Sequence, residues 1–183
     1  MAAYHAVLVH FPEALLMTAT LVIFIRAVSD RPLPRTIDRA LVPLLVLGIL
    51  SGVAAYVVGL MVWPWEALAA TPLGRNHMLL ATWTLSYWTL LLVVRWTIGE
   101  AIWDGMTRWV MAGLAFLGSA LLGITGTLGG HLVNNYTELS DVLRLFGWEV
   151  FTTFYVPNLT LAAIVVAAIV LAALGIWGRR QPA

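Results

Sequence analysis

Four histidines are the residues of this 183-residue chain best suited to chemistry, and all fall on one side of the membrane that the rest of the sequence implies. His5 and His10 open the first apolar stretch, His77 opens the third, and His131 follows the fourth. Successive spans alternate in direction, so the starts of odd-numbered spans and the end of an even-numbered one share a face. An imidazole near hydrocarbon is costly without a partner, and either ring nitrogen can ligate a metal. Histidines gathered there point to a metal or haem site.

Their depth follows from the distance to the arginine closing the same span. His10 precedes Arg26 by 16 residues and His77 precedes Arg95 by 18, which is about 24 and 27 Å of helix. The separations are 21 for His5 to Arg26 and 23 for His131 to Arg108, about 32 and 34 Å. His10 and His77 therefore form a deeper pair, expected to be the axial ligands of one haem, and His5 and His131 a shallower pair. His5 and His10 stand about 140° apart around a helix, which sets them against sharing one centre. Glu13, three residues after His10, has two readings that stay open here. It orients an imidazole or exchanges a proton with a quinol, or it is an interfacial carboxylate favoured by the helix dipole just past Pro12.

A flat macrocycle between helices needs small residues. The fourth span carries Gly113, Gly118, Gly123, Gly126, Gly129 and Gly130, and the second carries Gly48, Gly52 and Gly59. Gly123, Gly126 and Gly130 share a face leading to His131, so Gly126 and Gly130 are expected against the cofactor. The competing reading is that these glycines only let helices pack closely.

The elements that must position these residues are membrane helices. The chain is 61% hydrophobic and 10% charged, with a mean hydropathy of +0.91, far from the balance of a soluble domain. A span needs about 20 apolar residues, and five stretches qualify: roughly 4–25, 40–62, 77–94, 109–128 and 156–177. Residues 29–35 read as a turn-rich connector, and Trp63-Pro64-Trp65 ends the second span. Residues 137–153 interleave Leu139, Val142, Leu143, Phe146 and Val150 with Glu138, Asp141, Arg144 and Glu149. That pattern is an amphipathic helix on the membrane surface, covering the site or docking a partner. No positive charge precedes the first stretch and Arg26 follows it, the reverse of a signal peptide, so it reads as a retained span. No sequence repeat divides the chain.

Cysteine is absent, which excludes disulfides, Fe–S clusters, covalently attached haem and thiolate metal sites. No basic stripe exists to bind nucleic acid. Hydrolase elbows, phosphate loops and the HExxH motif are missing as well. Glu13 is the one carboxylate inside a predicted span, which argues against a charged transport path. All ten cations are arginine, and eight of them, at 26, 31, 35, 39, 95, 108, 179 and 180, lie on the side opposite the histidines. The positive-inside rule makes that side cytoplasmic.

Four helices with matched histidines resemble membrane b-type cytochromes, in which imidazoles from two helices take a haem's axial positions. His5-Ala6-Val7-Leu8-Val9-His10-Phe11-Pro12 further resembles the H-P-x-L-V-H-F-P opening of a widespread bacterial family of short multi-pass membrane proteins of unknown function. Gly129-Gly130-His131-Leu132-Val133 is similar to that family's G-G-x-L-V/T element, and His77 opens a span where its members often carry a histidine. The chain departs from the pattern at Ala6, where proline is usual, and at Asn134-Asn135. The resemblance implies haem binding and a role in membrane electron transfer.

The sequence thus predicts an all-α integral membrane protein of one domain, with five transmembrane helices, a four-helix-bundle core and a periplasmic amphipathic helix. Its expected place is the bacterial inner membrane, with the N-terminus periplasmic and the C-terminus cytoplasmic. Its expected cofactor is haem b, one or two, with His5, His10, His77 and His131 as iron ligands. The expected activity is electron transfer between membrane quinone and a periplasmic cytochrome or another respiratory subunit. The alternatives are a non-haem copper or zinc site and a redox-silent accessory or assembly subunit. The orientation is directly testable: a reporter fused after Ala183 should be active in the cytoplasm, and periplasmic activity would refute the arginine argument.

Overall fold

A computed structural model describes residues 2–153 and, beyond them, residues 159, 162–167, 169–170 and 173. Among the described residues there are helices and turns and no strand. The helices are α1 (Ala2–Leu8), α2 (His10–Val28), α3 (Pro32–Asp38), α4 (Leu41–Leu60), α5 (Trp65–Ala70), α6 (Pro72–Ile98), α7 (Thr107–Leu132) and α8 (Leu139–Leu145), with a 3-10 turn over Gly99–Trp103. Four stretches are long and apolar enough to cross a membrane: Ala3–Val28, Pro32–Leu60, Pro72–Trp103 and Thr107–Leu132. Five were expected. The described residues of the fifth are helical, and its bounds, with Arg179 and Arg180, lie outside the described residues.

Proline explains most boundaries. Pro32 and Pro72 stand at the first turn of α3 and α6, where the missing N–H costs nothing. Helix therefore begins at Pro32, and the connector expected over residues 29–35 shrinks to Ser29–Arg31. Inside a span, proline leaves the carbonyl four residues back without its usual donor. Pro12 does this to Leu8 and Pro43 to Arg39, and the first two spans break at Val9 and at Arg39–Ala40. The surface helix is also shorter than expected. It runs only over Leu139–Leu145, because Gly147 turns the chain with φ 79, a conformation that favours glycine.

The spans form a ring in which the first packs on the second and fourth, and the third packs on the same two. The first and third therefore lie diagonally, as in a simple antiparallel bundle. Leu16, Ile23, Leu45, Trp88, Leu91 and Met111 are fully buried between them. Outward, the surface is apolar: Leu21, Leu50, Leu90 and Phe116 are 51–62% exposed. Such a surface is stable against lipid and not against water.

At the end opposite the histidines an ion cluster joins the spans. Arg95 donates to Asp38 at 2.8 Å and to Glu100 at 2.8 Å, and Trp103 Nε1 donates to the same Asp38 oxygen at 3.1 Å. The guanidinium groups of Arg26 and Arg95 lie 5.4 and 5.9 Å from the Trp103 ring centroid, within cation–π range. Arg26 and Arg108 both donate to Asp30. Those two hydrogen bonds, with Arg26's the larger influence, hold the Asp30 carboxyl below the usual carboxylate range. Asp38 is buried, whereas the Glu100 side chain is 72% exposed. Asp38→Ala leaves a buried guanidinium underpaired and should cost about 3–5 kcal/mol, while Glu100→Gln should cost about 0–1 kcal/mol. Denaturant unfolding in detergent micelles measures both, and equal effects would deny the buried pair its role.

Candidate functional site

At the histidine end the four spans line a cavity of about 690 Å³, within the ordinary range for cofactor and ligand sites. Its wall includes His5, His10 and Glu13 from the first span, Gly59 from the second, His77 from the third, and Gly126 and Gly129 from the fourth. The first and third spans thus bring imidazoles to one space from opposite corners of the bundle.

Every imidazole is anchored through Nδ1 to a backbone carbonyl. His5 reaches Ala55 O at 3.0 Å and His77 reaches Thr125 O at 3.1 Å, each on the neighbouring helix. His10 bonds Ala6 O at 2.7 Å and His131 bonds Thr127 O at 2.8 Å, each on its own span one turn back. A carbonyl oxygen only accepts, so each Nδ1 carries a proton and Nε2 is the ring nitrogen left for a ligand. This is the tautomer in which metal-binding histidines are commonly held.

Glycine makes the two cross-helix seats. A Cβ on Gly59 would stand 2.8 Å from His5 Cε1, and one on Gly129 would stand 2.8 Å from His77 Cε1. Both are closer than side chains approach, so each ring lies directly against a glycine.

The other residues singled out by sequence divide. Glu13 enters the cavity wall beside His10, and its Oε1 occupies the space a Cβ on Gly126 would need, 2.6 Å away. Gly126 is thus a seat for the carboxylate. Gly130 also lines the cavity, and its missing Cβ admits Asn135 O, which lets the chain turn after α7. His131 is not in this wall. It is buried under Tyr136, in edge contact at 4.8 Å between ring centroids, and Phe151 at 5.6 Å. It borders a second hollow of about 410 Å³ with Glu138, Asp141 and Arg144, and Arg144 pairs with both Asp141 and Glu149. Sequence reasoning missed the roles of Gly59 and Gly129. Their signal was present as a glycine four residues after the carbonyl that each histidine uses.

Among the described residues, no three of His, Asp and Glu converge where they could hold a metal ion together. The geometry offers paired imidazoles facing a shared apolar space.

The chain belongs to a family of multi-pass membrane proteins described as "Predicted membrane protein (DUF2231)", whose model matches residues 2–140. That stretch takes in all four spans and every histidine. No curated protein matches the chain, and no solved structure does. Membership establishes a membrane protein in contact with a lipid bilayer and assigns no chemistry.

Proposed function

We propose that the protein is a membrane b-type cytochrome-like subunit that passes electrons between membrane quinone and a periplasmic or membrane redox partner. The observation that carries this reading is the cavity itself. Imidazoles from diagonally opposed spans face a space of cofactor size with Nε2 free, and glycines keep the approach to both rings flat. Haem b would suit these residues, because two imidazoles could hold its iron and the apolar wall could take its ring. When bound, haem supplies a one-electron centre tuned by its axial ligands.

The chain's own residues then have defined tasks. His77 is a ligand, fixed in its tautomer by Thr125 O. Leu16 and Leu122 make part of the cavity wall apolar, with Trp88 buried in the same core cluster. Glu13 holds a carboxylate oxygen at the cavity edge, where it can take up a proton released by a quinol. The reading sets the histidine end toward the periplasm of a bacterial inner membrane. It rests on Arg26, Arg31, Arg35, Arg39, Arg95 and Arg108 at the other end, because orientation follows arginines and lysines and acidic residues contribute little.

Purified protein should carry haem and give the reduced spectrum of a low-spin, bis-histidine centre. His77→Ala should convert the centre to high spin or empty it, and His131→Ala should leave the spectrum unchanged, because that ring lies outside the cavity. A colourless protein retaining stoichiometric copper or zinc would replace haem with a metal site. A preparation with neither would return the protein to an accessory subunit.

A further inference from the structure

The two imidazoles seated across helices belong to a pattern that extends along the whole bundle. His77 follows His5 by 72 residues, and Trp88 follows Leu16 by the same 72. Gly129 follows Gly59 by 70, as do Gly118 after Gly48 and Thr125 after Ala55. These are the residues in contact. His5 lies on Gly59 and bonds Ala55 O, while His77 lies on Gly129 and bonds Thr125 O. Eleven residues deeper, Leu16 lies on Gly48 and Trp88 on Gly118. Even the order of ring atoms agrees, with Cε1 nearest the glycine, then Nδ1, then Nε2, in both seats.

Burial keeps the same register. Pro12, Leu16, Ala19 and Ile23 in α2 correspond in turn to Thr84, Trp88, Leu91 and Arg95 in α6, and all eight are buried. Leu41, Leu45, Gly48 and Gly52 in α4 correspond to Met111, Ala115, Gly118 and Leu122 in α7, again all buried. A 4-3-4 spacing alone marks any buried helix face. Its register with the imidazoles and glycines is what a generic bundle does not supply. The first and second spans and the third and fourth are therefore two equivalent hairpins in parallel orientation, related by a pseudo-twofold axis along the membrane normal, as in other membrane proteins built from parallel repeats.

We infer that the haem ligands are His5 and His77, the one pair of histidines this axis relates, and that His10 is not a ligand. The inference rests on the haem reading and changes its ligand pair from the one that depth along the sequence favours. The same offset carries His10 onto Thr82 and Glu13 onto Leu85, and that of the second and fourth spans relates His131 to Met61. His10 and His131 consequently have no partner imidazole. Their rings are tied to their own spans, whereas an equivalent pair presents two nitrogens to the axis in the same way.

The test compares His5→Ala, His10→Ala and His77→Ala, purified from cells supplied with a haem precursor. Optical and paramagnetic resonance spectra give spin state, and size-exclusion elution checks folding. His5→Ala and His77→Ala should each yield a high-spin haem that binds carbon monoxide, or lose haem, while His10→Ala stays low-spin. For variants that fail to fold, His5→Met and His77→Met should keep six-coordinate haem and raise its midpoint potential, with no shift for His10→Met. Conversion by His10→Ala with His5→Ala unaffected overturns the pairing and leaves the haem reading intact. Wild-type protein that takes up no haem, even when titrated with it, overturns both.

Discussion

A histidine in a bilayer must give its ring proton to something, and the acceptor it finds decides the geometry of this protein. His5 and His77 use a main-chain carbonyl on the neighbouring helix. That carbonyl already receives the N–H of the residue four positions later, as in any α-helix, but it has a second lone pair. A side chain on that later residue would cover it, since Cα–Cβ bonds tilt toward the helix N-terminus. Gly59 and Gly129 are those residues, so the ring reaches Ala55 O or Thr125 O by passing over a bare backbone. The hydrogen bond thus demands the glycine, the glycine brings the helices close, and both rings form part of the cavity wall.

The other end of the bundle answers a different requirement. Helices in lipid gain little from hydrophobic association and depend on packing and polar contacts. Asp38, Arg95 and Trp103 supply such contacts, joining the second span to the third and to the turn that follows it. Arg108 and Arg26 share Asp30, which draws the start of the fourth span to the end of the first. Polar groups are thus concentrated at the two ends, with the middle filled by Leu16, Ile23, Trp88 and Leu91. The ion cluster thus closes one end, and the cavity lies at the other.

Much of this was legible in the residues. Hydropathy located these four spans along with a fifth whose bounds lie outside the described residues, alternation placed every histidine at one end, and a simple antiparallel bundle implied the diagonal relation of the first and third spans. Depth along the sequence, by contrast, says nothing about which way a ring points. His10 turns to Ala6 O on its own span, and no count of residues to Arg26 contains that fact. The arginines gave an expectation of orientation but not their long-range acidic partners: Asp38 meets Arg95 and Asp30 meets Arg108 only when the ring of spans closes. The duplication was invisible as sequence because the equivalent positions share contacts and seldom identity. Leu16 matches Trp88, and Ala55, whose side chain plays no part in the bond to His5, matches Thr125.

The departures from equivalence are as informative as the equivalence. His10 and Glu13 occur on the first hairpin alone, and the places they would hold on the second are taken by Thr82 and Leu85. One flank of the cavity is therefore ionisable, and the matching flank is not. A symmetric seat suits a ligand that uses both sides alike, whereas proton exchange requires an acidic or basic group at a particular edge. Gly126 provides the clearance that lets the Glu13 carboxylate lie at this edge, and its equivalent in the second span is Tyr56, which bonds Thr82 instead. The first hairpin thereby adds an ionisable edge to a frame that both hairpins build in common.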